Sequence, residues 1–190
     1  MTAITLDLHP IIDLTDEQFY QICLNNPNVK FERTAKGELI VMPPTGWETG
    51  NRNIELSFQL QAWSRSNNLG IAFDSSTGFT LPNGADRSPD AAWVIRDRIE
   101  AINPDPGKFL PLAPDFAVEL MSANDNLEKT QTKMREYRDS GVRLGWLIDP
   151  HNKRVEVYRQ GQDIEVRYSP TSLSGEDVLP GFVLDLKGIL

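Results

Sequence analysis

The chain has 190 residues, a formal charge of −8, and 39% hydrophobic against 24% charged side chains. That composition is ordinary for a globular protein and excludes a disordered or fibrous one. The acidic balance argues against strong, sequence-independent nucleic-acid binding, which needs Lys and Arg to neutralise phosphates, although Lys129, Lys133, Arg135, Arg138 and Arg143 leave room for a local basic surface.

Taken in order, Thr15 is placed to cap a helix whose first turn holds Asp16 and Glu17. Phe19, Ile22 and Cys23 recur there at helical spacing, and the helix is expected to stop before Pro27. Val29 to Arg33 and Glu38 to Met42 read as two strands of a hairpin turning at Lys36-Gly37. A longer helix is expected from Glu48 to Ser66, its apolar side set by Ile54, Phe58, Leu60, Gln61 and Trp63, and ended by Asn67, Asn68 and Gly70. From Ile71 to Ile95, short apolar runs broken by Gly, Pro, Asn and Ser predict two or three strands, and Asn103 to Gly107 a loop.

The stretch Pro114 to Ser122, PDFAVELMS, is a strand with a carboxylate in its middle. Alternation puts Phe116, Val118 and Leu120 on one face and Asp115, Ala117, Glu119 and Met121 on the other. A carboxylate among such neighbours loses hydration worth several kcal/mol, roughly, unless a cation, a metal or several donors meet it. A helix follows from Leu127 to Ser140, closed by Gly141. Its stripe of Leu127, Thr130, Met134 and Tyr137 leaves Lys133 on the border and Lys129 further out. Then come a strand over Leu144 to Asp149, a turn over Asp149 to Asn152, a strand over Arg154 to Arg159 with Val155 and Val157 inward, and a last short strand in the tail packed on the sheet. All four tryptophans are expected in the core.

One cysteine, Cys23, rules out an intrachain disulfide and a cysteine metal cluster and suits a reducing compartment. No window approaches the roughly 20 apolar residues of a membrane span. The expectation is a cytoplasmic α/β protein, a mixed sheet flanked by helices, as one domain over 1–190.

The succession of parts resembles the PD-(D/E)XK superfamily of metal-dependent nucleases, and within it the Uma-type restriction-endonuclease family. The resemblance is carried by PPTGWE at Pro43 to Glu48, RSPDAAWV around Asp90, PDFAVELMS around Glu119, KMREY from Lys133 to Tyr137 and GVRLGWLIDP from Gly141 to Pro150, over a core of about Glu38 to Arg159. One departure stands out. The superfamily places a lysine two residues after the acid on the same strand, and here that position is Met121. The resemblance therefore implies a lysine relocated to the following helix, and Lys133 is the candidate by its place on the stripe.

What the resemblance implies is a Mg²⁺-dependent endonuclease acting on DNA, with Mn²⁺ as a substitute and a homodimer as the working form. Asp90 and Glu119 would hold the metal together with the backbone carbonyl of Leu120, and Glu48 would be a further ligand. Asp90, Glu119 and Lys133 would carry the catalysis. Each residue has an ordinary reading too: Asp90 as a strand-start residue, Glu119 as a structural ion pair with Lys133, Glu48 as a carboxylate favoured at a helix N-terminus. These support the rival expectation, a nuclease fold without catalysis that serves as a binding or regulatory module. His9 and His151 stand apart, which gives no support to a zinc site.

Overall fold

The computed structural model describes residues 3–190. Its elements are β1 (Ile4–Leu6), α1 (Asp16–Asn25), β2 (Lys30–Arg33), β3 (Leu39–Met42), α2 (Trp47–Asn67), β4 (Gly70–Asp74), β5 (Phe79–Thr80), β6 (Asp86–Arg87), β7 (Ala91–Ile95), α3 (Arg96–Ile102), β8 (Phe116–Leu120), α4 (Leu127–Asp139), β9 (Leu144–Asp149), β10 (Arg154–Arg159), β11 (Glu165–Tyr168), β12 (Ser172–Ser174) and β13 (Val183–Asp185).

Local chemistry explains the ends of the helices. Thr15 and Gln18 form a reciprocal capping box, with Gln18 N donating to Thr15 Oγ1 at 3.2 Å and Thr15 N donating to Gln18 Oε1 at 2.9 Å. Asn68 closes α2 in a left-handed conformation, and Asn126 caps α4 by accepting from Lys129 N at 3.0 Å. The β2–β3 hairpin turns where Gly37 takes φ +86°, as its sequence predicted.

A six-stranded sheet runs in the order β11-β10-β9-β8-β7-β4, and a five-stranded one in the order β1-β3-β2-β6-β5. Among the described strands, β8 and β9 make the parallel ladder of the larger sheet, and its other pairings are antiparallel. A parallel pair needs a crossover, and α4 supplies it. The two faces of this sheet carry different cores. Phe116, Val118 and Leu120 pack with Trp93, Trp146, the α2 residues Leu56 and Leu60, and the β12–β13 hairpin. Ala117 and Met121 pack on the other face with Met134 and Tyr137 of α4, with Phe79 of β5, and with Leu81 and Ala85 from the turn between β5 and β6. The alternation predicted for β8 is the one observed.

Several expectations are corrected. The buried side of α2 is Leu56, Leu60 and Ser64, whereas Ile54 and Phe58 face solvent, because only a stripe containing Leu56 and Leu60 reaches the sheet. Trp93 and Trp146 are core and Trp63 is half-buried, but Trp47, at the first turn of α2, is 86% exposed. The stretch from Ile71 to Ile95 forms four strands instead of two or three, since β5 and β6 are only two residues long. Helix α3 and strands β1, β11 and β12 carry patterns too short to be read locally. The tail strand β13 pairs with β12 as a separate hairpin packed on the larger sheet. No helix among the described residues is long and apolar enough to cross a membrane.

Candidate active-site cleft

Between the two sheets and α4 lies a cleft of about 1330 Å³. Its position follows from the crossover. Glu119 points from β8 toward the side covered by α4, where Met134 and Tyr137 anchor the helix and leave Lys133 turned toward the same strand. Lys133 Nζ sits 2.8 Å from Glu119 Oε1 and 2.8 Å from Glu32 Oε1. The Tyr137 hydroxyl donates to Glu119 Oε1 at 2.9 Å. The amine thus joins a carboxylate of the larger sheet to one of the smaller.

Asp90 immediately precedes β7, next to β8. Its Oδ2 accepts from Leu120 N at 2.7 Å and its Oδ1 from Asn53 Nδ2 of α2 at 3.2 Å. The register Ala91↔Val118 brings Asp90 to the end of β8 where Glu119 and Leu120 emerge. Asp90, Glu119, Leu120 and Lys133 all line the cleft. Glu48 does not. It pairs with Arg52 at 2.9 Å, half-exposed, on the far side of the α2 first turn. The carboxylate that the smaller sheet contributes to the cleft is Glu32.

Glu32 is 2% exposed and accepts from Lys133, from Arg87 Nη1 at 3.2 Å and from Ser88 N at 3.1 Å. Burial alone would raise its pKa, but Lys133 and Arg87 outweigh that and hold it at about 2. Glu119 goes the other way. Burial raises it, Asp90 and Glu32 add repulsion, and Lys133 offsets only part, leaving it at about 7. Burial pulls the Lys133 ammonium down, yet Glu119 and Glu32 more than reverse this and keep it charged. Burial and the neighbouring Glu119 push the Tyr137 hydroxyl well up, so it remains a donor.

The donors fit a hard divalent cation. The side chains gathered around Asp90 and Glu119 offer oxygen, and among the described residues no sulfur or imidazole lines the cleft beyond the Met42 and Met121 thioethers. Asn53 Oδ1 is buried beside Asp90 and has no hydrogen-bond partner, an oxygen available to a cation or to its water. Among the described residues, no three His, Cys, Asp or Glu side chains cluster as a metal cage. Asp90 and Glu119 are two carboxylates, the number typical for Mg²⁺ completed by water and phosphate. The cleft is acidic: Glu32, Glu38, Asp90, Glu119, Asp125, Glu128 and Glu136 face Lys30, Arg87, Lys129 and Lys133. Arg87 and Lys133 are already engaged by carboxylates. A phosphate entering here therefore needs an additional cation.

Glu32 and Asn53 are the residues that sequence reasoning missed. Asn53 carried a readable signal, since it is three residues before Leu56 and seven before Leu60, a polar residue on the buried stripe. Glu32 carried none locally, because its burial comes from the docking of the two sheets.

Among solved structures, the chain is similar to one described as a putative nuclease belonging to DUF820 from Anabaena variabilis ATCC 29413, with a TM-score of 0.71 and 22% identity over 84% of this chain and 88% of that one. Likeness at that identity speaks for the fold. No curated protein matches the chain. Residues 16–187 match the sequence profile of Uma2, described as "Putative restriction endonuclease". Because that match runs from the first helix past the last strand and takes in Glu32, Asp90, Glu119 and Lys133, the chain belongs to the Uma2 family.

Proposed function

We propose that residues 1–190 act as one restriction-endonuclease-like domain that hydrolyses phosphodiester bonds in DNA with Mg²⁺, for which Mn²⁺ substitutes. The observation that carries the reading is the position of Lys133: a protonated amine 2.8 Å from Glu119, in the cleft that Asp90 also lines. Met121 stands where the superfamily's lysine would be, and the amine arrives from α4 instead.

Each residue has a defined task. Asp90 and Glu119, with the Leu120 carbonyl, would hold the cation, and Leu120 N and Asn53 fix the rotamer of Asp90. When bound, Mg²⁺ supplies positive charge that polarises the scissile phosphate and lowers the pKa of water beside it. Lys133 presents its ammonium to the charge that builds on the phosphate oxygens, already oriented by two carboxylates, so little reorganisation accompanies the reaction. Tyr137 and Glu32 position Glu119 and Lys133 without reaching the substrate. Cutting both strands of a duplex takes two such centres, which is why we take the working form as a homodimer.

The test is cleavage of plasmid DNA with and without Mg²⁺. Asp90→Asn and Glu119→Gln are each expected to abolish Mg²⁺-dependent cleavage while the protein stays folded by circular dichroism; full cleavage by either variant would refute the assignment. A second reading, a non-catalytic binding module, is favoured by the double engagement of Lys133 with Glu119 and Glu32, which is also what a structural network looks like. Calorimetric titration separates the two, because the module gives no heat with Mn²⁺ and gains no thermal stability from it.

A further inference from the structure

Helix α2 is apolar on two sides. Leu56, Leu60 and Ser64 bury against the sheet, while Trp47, Ile54 and Phe58 stand 86%, 69% and 65% exposed. At 100° per residue the outward residues fall on a line on the far side of the helix from the buried one. That line is Trp47, Asn51, Ile54, Phe58, Gln61 and Arg65, all exposed, with steps of four, three, four, three and four residues. These are the steps of a coiled-coil seam.

The seam is complementary to itself run backwards. Laid antiparallel about a two-fold axis at the level of Leu56, Ile54 meets Phe58 of a second copy, Asn51 meets Gln61, and Trp47 meets Arg65. Each match is chemically sound: apolar on apolar at the centre, amide on amide in the next layer, and a guanidinium on an indole face at each end. Glu48 also comes beside Arg65 of the other copy, a pairing of opposite charges. In a chain of charge −8, two copies repel over most of their surface, yet the six seam positions hold no carboxylate and one cation. A sheet-covering helix has no need of an outward Trp, Ile and Phe at this spacing, and an exposed apolar stripe of this kind marks an interaction face.

We infer that α2 is the homodimer interface, pairing antiparallel with α2 of a second copy through this seam. The inference rests on α2 alone and not on the nuclease reading, although it supplies the interface that reading calls for. Thr49 and Asn53, which line the cleft, lie on the inward side of the helix, so pairing leaves the cleft open. A closed two-fold contact of this type uses one surface twice and stops at two copies.

The experiment is sedimentation velocity over a concentration series on the full chain. The wild type is expected to sediment as a dimer, and Phe58→Asp as a monomer with unchanged circular dichroism, since Phe58 is exposed and supports no core. Asn51→Lys and Gln61→Glu, each placing unmatched charge in the seam, are expected to weaken the dimer at least tenfold. The double variant N51K/Q61E sets an ammonium of one copy against a carboxylate of the other in both layers, and is expected to recover it. A monomeric wild type, a Phe58→Asp dimer as tight as wild type, or a double variant weaker than both single ones each overturns the inference. Mg²⁺-dependent nicking of one plasmid strand by the wild type reads the nuclease proposal separately, because a single centre suffices for a nick and none of these residues lines the cleft.

Discussion

Replacing Lys133 by Met keeps the aliphatic stem on α4 and removes the amine from between Glu119 and Glu32. Lys133, Glu119 and Glu32 have side chains 14%, 12% and 2% exposed, so the pair is buried enough that its loss is not absorbed by solvent. Removing one partner of a buried ion pair costs about 3–5 kcal/mol. Arg87 stays on Glu32 at 3.2 Å and the Tyr137 hydroxyl on Glu119 at 2.9 Å, which places the expected cost at the low end, about 3 kcal/mol. For a chain of this length, that corresponds to a drop in Tm of about 6–12 °C near neutral pH. The drop should depend on pH with a defined sign. Glu119 in the folded chain stands at about 7, above its ordinary value of 4.5, so the cost of burying its carboxylate is absent below 4.5 and complete above 7. Without the ammonium that cost grows. Glu32 stands at about 2, so its stabilisation is present above 4.5 and disappears as pH falls toward 2; without Lys133 less of it exists to lose. Glu119 therefore makes the deficit of Lys133→Met larger above about pH 7 than at about pH 5, whereas the Glu32 part changes only below pH 4.5 and is common to both conditions. Thermal melts of both proteins at about pH 5 and about pH 8 measure it. A deficit of under about 2 °C at the higher pH, or the same deficit at both, refutes the account of Lys133 as a buried tie between two carboxylates.

Binding of Mn²⁺ beside a carboxylate that stands at about 7 should release a proton, so affinity measured by calorimetry is expected to rise with pH up to about 7 and then level off. The rise should vanish in Glu119→Gln, and a pH-independent wild-type affinity contradicts the site. Two glycines make a packing contrast. A Cβ on Gly70 would lie 2.3 Å from both the Trp93 ring and the Val94 carbonyl oxygen, neither of which can yield easily, so Gly70→Ala is expected to cost about 3 kcal/mol in urea denaturation. On Gly145 the nearest atom is the flexible end of Met134 at 2.7 Å, so Gly145→Ala is expected to cost only about 1 kcal/mol. Equal losses sink the argument.

What was legible in the sequence was what local rules decide. The cap at Thr15, the turn at Gly37, the end of α2 at Asn68 and the alternation of β8 all rest on neighbours a few residues apart, and all appear as expected. The faces of α2 were misassigned because the helix carries apolar residues on both sides, and periodicity alone does not say which side meets the sheet. Lys133 could be singled out because it borders the stripe of Leu127, Thr130, Met134 and Tyr137, whose Met134 and Tyr137 are buried. Glu48 and Glu32 show the limit. An acid at a helix start draws attention by its position, whereas Glu32 is an unremarked strand residue until a second sheet folds over it.

The Glu32–Lys133 contact joins groups 101 positions apart along the chain. During synthesis Glu32 leaves the ribosome long before Lys133 exists, and Asp90 leaves before the Leu120 amide that holds it. A half-made chain therefore holds Glu32 with Arg87 alone, and the centre assembles only once α4 has emerged and brought Lys133 to it. For a protein proposed to cut DNA, this order of events is a safeguard written into chain connectivity: truncated or nascent copies have no working centre to turn on the cell's own genome.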